Sequence, residues 1–132
     1  IGVICNNIIN NNTGYHQLSY YSKGGGMYLV NNYSNLVISN NVISDNQIIK
    51  NGEPGGKGGG ISVLNTGGFE NNRIIIDKNF ISDNSALFGG GVAVTEINNI
   101  ELSNNVIHNN ESQSYGGGIY FENYSKNNGN TG

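Results

Sequence analysis

The sequence predicts an all-β solenoid with three strands per coil and about four to five coils, and three observations carry that prediction. The first is a repeated strand. GGGMYLV from Gly24, GGGISVL from Gly58, GGGVAVT from Gly89 and GGGIYFE from Gly116 each pass from three glycines into alternating apolar residues. The second is a repeated asparagine-ended block: VICNNIINNN from Val3, VISNNVISDN from Val37, IIDKNFISDN from Ile75 and ELSNNVIHNN from Glu101 align without a gap. The alignment puts Asn7, Asn41, Asn79 and Asn105 in one column and Asn12, Asn46, Asn84 and Asn110 in another. The third is spacing. Successive columns lie 34, 38 and 26 residues apart, a basic unit of about 26 with insertions, which is the signature of stacked repeats.

Each element of one coil can be read in turn. After the glycines, a period of two sends Met27/Leu29, Ile61/Val63, Val92/Val94 and Ile119/Phe121 to one face, and Tyr28, Ser62, Ala93 and Tyr120 to the other. A second strand turns Leu36/Ile38, Ile74/Ile76, Ile100/Leu102 and Ile4 inward; a third turns in Ile9, Ile43, Ile81 and Ile107. Between the second asparagine column and the next glycines lie 11, 11, 4 and 5 residues, which read as corner loops, long in the first two coils. The asparagines occupy corners. A side-chain amide carries donors and an acceptor, so amides stacked at the strand spacing, about 4.8 Å, bond to one another along the axis.

Composition bounds the function. With 36% apolar and 11% charged residues, 21 glycines and 27 asparagines in 132 residues, the chain is too polar and too sparsely charged for an ordinary two-layer domain. Disorder would not keep the apolar pairs in register across repeats. The single cysteine excludes an internal disulfide, and no apolar run is long enough to span a membrane as a helix. A net charge of −3 with no basic stripe argues against nucleic acid and anionic membranes as partners. Residues 1–132 read as a single β-helix domain and an excerpt of a longer solenoid, with further coils of the parent chain as partners at both ends.

The repeat NxIxxN, a short loop and then GGGI resembles the right-handed parallel β-helix family, the pectin-lyase-like superfamily in its widest sense. FISDNSALFGGGV from Phe80 is also similar to the repeats of polymorphic outer-membrane and autotransporter-like adhesins, although Phe80 stands one residue too far from Asn84 and Gly91 replaces their alanine. The resemblance implies a right-handed solenoid with asparagine ladders at its corners and an extracellular or cell-surface location. The same solenoid carries lyases, hydrolases, epimerases, phage spikes and adhesins, so function has to come from a site.

Two sites stand out. Asp45 and Asp83 fall in one column on adjacent coils, about 5 Å apart, a spacing suited to retaining glycoside hydrolysis or to calcium; the alternative is a solvated corner, with Asn109 in the next coil. Arg73 precedes the second strand while both aspartates follow the third, so no base converges on them. The other site is a wall. His16, Tyr20 and Tyr21 in the first long loop and Lys57 in the next flank the face bearing Tyr28, Ser62 and Tyr120, and rings with polar tips over an uncharged strand face suit sugars. The expected function is therefore a non-catalytic extracellular module of a surface adhesin or stalk that binds glycans or another cell-surface partner on its loop-bearing side, with no cofactor. The alternative is a fragment of a carbohydrate-active enzyme (polysaccharide lyase, hydrolase or epimerase) whose catalytic residues lie in other coils.

Overall fold

The structure is a computed structural model and describes residues 1–16, 23–31, 35–65, 73–95 and 99–123. Among them the chain is all strand, in four repeats. The first repeat has β1 (Gly2–Cys5), β2 (Ile8–Asn10), β3 (Thr13–His16) and β4 (Met27–Asn31). The second has β5 (Leu36–Ser39), β6 (Val42–Ser44), β7 (Gln47–Lys50), the short β8 (Glu53–Pro54) and β9 (Ile61–Asn65). The third has β10 (Ile74–Asp77), β11 (Phe80–Ser82), β12 (Ser85–Phe88) and β13 (Val92–Thr95), and the fourth β14 (Ile100–Ser103), β15 (Val106–His108), β16 (Glu111–Tyr115) and β17 (Ile119–Glu122).

Every repeat gives one strand to each of four sheets: A (β1-β5-β10-β14), B (β2-β6-β11-β15), C (β3-β7-β12-β16) and D (β4-β9-β13-β17). All pairings are parallel except β7 with β8. The arrangement is compatible with a parallel β-helix-like solenoid. The asparagine alignment is the register observed: Gly2 faces Leu36, which faces Ile74, which faces Ile100.

The expectation of three strands per coil is corrected to four. The segments read as corner loops, including the stretch from Thr13 to His16, form sheet C. Its buried column defeats pattern reading because it runs Gly14, Ile48, Ala86, Ser112, with no consistent apolar residue. The main core is still built from three sheets: Ile38, Ile74 and Ile76 from A, Ile43 and Ile81 from B, and Ile61, Val63, Val92 and Val94 from D. The second-repeat insertion is a hairpin. Asn51 and Gly52, at φ 53° and 85°, make the left-handed pair that turns β7 back onto β8. Its far end then serves the ladder, with Gly55 and Gly56 carbonyls accepting the N–H groups of Leu87 and Phe88.

The bends explain the double asparagines. The residue before each ladder asparagine is left-handed: Asn6, Asn40, Lys78 and Asn104 between sheets A and B, and Asn11, Asp45, Asp83 and Asn109 between B and C. Asparagine and aspartate are the side chains that tolerate this conformation best after glycine. The ladder asparagine then turns inward. Asn41, Asn46, Asn79 and Asn84 are buried, and each donates its side-chain amide and its backbone N–H to the Oδ1 of the next asparagine along the stack.

Candidate functional site

The bend from sheet C into sheet D is built by the glycine triplet. The first glycine is left-handed in each repeat (φ 69°, 71°, 63° and 67° at Gly24, Gly58, Gly89 and Gly116). The third lies against the repeat below, so that a Cβ at Gly60 would stand 2.7 Å from Gly91 O. This tight arch pushes the residue just before it outward. Lys23, Lys57, Phe88 and Tyr115 therefore form a column, paired Lys23 to Lys57, Lys57 to Phe88 and Phe88 to Tyr115.

Beside it runs the outer column of sheet D. Tyr28 pairs with Ser62, Ser62 with Ala93 and Ala93 with Tyr120, so three strand steps, about 14 Å, separate the two tyrosines. The two columns meet at both ends. Near the first repeat, Lys23 Nζ lies 5.5 Å from the Tyr28 ring, which is 44% exposed. Near the fourth, Phe88 packs 5.2 Å from Tyr120 and stacks 6.1 Å from Tyr115, with Lys57 Nζ 6.0 Å from Tyr120. Tyr115 is the most open ring of the group, at 66% exposure.

Lys57 is placed differently from a loop wall. It is 7% exposed and its ammonium is ion-paired with Glu122 of the fourth repeat. Because it starts in the second repeat, its stem passes the level of the third, where Ala93 and Thr95 share the outer face. Ser62, Ala93 and Thr95 point away from the core, yet they are buried. Ser62 Oγ and Thr95 Oγ1 have no hydrogen-bond partner. Buried hydroxyls are nearly always bonded, so two beneath one lysine mark a place where a polar partner would be gained.

The remaining sequence candidates fall elsewhere. Tyr20 and Tyr21 lie outside the described residues. His16 ends β3 opposite Lys50, in a strand rather than a loop, and its side chain also lies outside them. Asp45 and Asp83 occupy equivalent left-handed bends and are exposed, with the Asp45 N–H donating to Ser82 O. Arg73 stands at the start of sheet A, ion-paired with Glu101. Among the described residues no three acidic, histidine or cysteine side chains gather as a metal site.

Phe88, Tyr115 and Glu122 were not singled out from sequence. A signal was present, since the residue before each glycine triplet reads Lys, Lys, Phe, Tyr. Comparison with protein-family models, with curated proteins and with solved structures finds no match.

Proposed function

We propose that the chain is a right-handed parallel β-helix module of the pectin-lyase-like kind, displayed at a cell surface as part of an adhesin or stalk, and that it binds carbohydrate on the outer face of sheet D and its bend with sheet C. The observation that carries the reading is the cluster of Phe88, Tyr115 and Tyr120 against the Lys57–Glu122 pair. Sugars present apolar C–H faces and a rim of hydroxyls. A ring with an exposed face takes the first, and charged hydrogen-bonding groups beside it take the second. Tyr28 with Lys23 forms a smaller patch of the same chemistry about 14 Å away, which suits one extended oligosaccharide touching both.

Binding without turnover fits the placement of the acids. Asp45 and Asp83 serve the bends between sheets B and C, whereas the aromatic cluster lies at the bend between C and D. The test is a glycan array followed by titration of any hit against Tyr115→Ala, Tyr120→Ala and Tyr28→Ala. Each ring contributes on the order of 1 kcal/mol, so losing Tyr115 or Tyr120 weakens binding about fivefold. A ligand whose affinity is unchanged in all three variants, or an absence of binding at millimolar concentration, contradicts the reading.

A further inference from the structure

The stack has a direction, and its two ends are complementary. At each C-to-D bend, successive N–H groups point to the next repeat: Gly24, Gly25, Gly26 and Met27 donate to the carbonyls of Lys57, Gly58, Gly59 and Gly60, and the pattern recurs down to Tyr115, Gly116, Gly117 and Gly118. The ladders run the same way, amide to Oδ1. The fourth repeat is therefore left with donors. Among the described residues the N–H groups of Gly116, Gly117, Gly118, Asn105 and Asn110 have no acceptor. The first repeat is left with the matching acceptors: Asn7 Oδ1, Asn12 Oδ1 and the carbonyls of Lys23 to Gly26 receive no donor among those residues.

A glycine makes the argument specific. At Gly26, Gly60 and Gly91 a Cβ would come within 2.7, 2.7 and 2.6 Å of the carbonyl oxygen of Gly60, Gly91 and Gly118, so these positions cannot carry a side chain while the next repeat is in place. At Gly118 a Cβ would meet only Ile107 Cγ2, at 3.5 Å, an ordinary contact. Nothing in the described chain requires glycine there. What would require it is another triplet carbonyl stacked below. Core positions agree: Ile119 and Phe121 are 38% and 56% exposed, whereas Val92 and Val94, their partners in the third repeat, are buried.

We propose that this chain self-associates head to tail, the rim of the fourth repeat receiving the rim of the first repeat of a second copy. Continuing the observed register sets Met27 and Leu29 of the incoming copy over Ile119 and Phe121, and brings its Gly26 carbonyl under Gly118. The contact uses different surfaces on the two copies, so it does not close. It propagates into a filament that advances by four repeats per copy, about 19 Å at the strand spacing.

The test is sedimentation velocity of the 132-residue chain across a concentration series, with Gly118→Ala and Phe121→Asp in parallel. The expected result is a wild type whose size grows with concentration and two variants that stay monomeric, with far-UV circular dichroism and melting matching dilute wild type. Phe121→Asp gives a second reading should Gly118→Ala fold poorly. A wild type that is monomeric throughout, or folded variants that associate as it does, overturns the proposal.

Discussion

Asn46 donates its side-chain amide to Asn84 Oδ1 at 3.0 Å while its other amide proton reaches the Ile9 carbonyl at 2.9 Å, and both asparagines are fully buried. One side chain thus ties three repeats together. It accepts from Asn12 above, donates to Asn84 below and caps a strand end in the repeat it came from above. Replacing Asn84 by alanine removes the acceptor for Asn46 and the donor for Ile43 O and Asn110 Oδ1, and should cost about 1 to 3 kcal/mol in denaturant unfolding. Asn84→Asp keeps the acceptors but sets a buried carboxylate against two oxygens, so it should destabilise at least as much. Asn10, exposed on β2, should tolerate either change.

Lys78 is the odd member of its bend. It holds φ at 54° where the other three repeats have Asn6, Asn40 and Asn104. A left-handed residue with a long side chain costs roughly 1 to 2 kcal/mol, of which asparagine recovers part through local hydrogen bonds. Lys78→Asn should raise the melting temperature. An unchanged or lowered melting point would mean that the Lys78 to Asp77 contact, at 3.6 Å, outweighs the backbone term.

Asp77 gives the fold an acid dependence. Its Oδ1 accepts from the Asn104 side chain at 2.7 Å and from Ser103 Oγ at 3.0 Å, and the Asn104 bond is the main cause that holds its carboxyl below the ordinary carboxylate value. A carboxylate whose folded value is depressed contributes stability that is complete above the unfolded value and is lost as pH falls through the folded one. Stability should therefore decline below about pH 4, and Asp77→Asn should flatten that decline. An unaltered acid profile in Asp77→Asn assigns the dependence to other carboxylates.

The legible part of the fold is the part where one residue type recurs for one reason. Asn41 and Asn79 sit in a gapless column because a ladder needs the same amide in every repeat, and the spacing of 38 residues between them is their hydrogen-bonded register. Sheet C was hidden because Ile48 faces Gly14 and Ala86 faces Ser112, so no alternation repeats, and because the hairpin turning at Asn51 and Gly52 lengthens one copy. Alternation correctly set Ser62 and Ala93 on the outer face of sheet D, but it could not show that they are covered. That depends on Lys57 reaching Glu122, a contact across 65 residues that no local pattern encodes. Phe88 and Tyr115 became part of the candidate site for the same reason, since the strand that aligns them was not visible.

Residue-resolved hydrogen exchange by NMR, on chain dilute enough to be monomeric, tests the directional four-sheet stack most directly. The account predicts that the side-chain amides of Asn41, Asn46, Asn79 and Asn84 exchange among the slowest protons in the molecule, because each has both donors engaged with the neighbouring repeats. It also predicts protected backbone N–H groups at Gly89, Gly90 and Gly91, which donate to Tyr115, Gly116 and Gly117, and fast exchange at Gly116, Gly117 and Gly118. Ladder amides that exchange as fast as the exposed Asn10, or equal protection at the two glycine triplets, would contradict it.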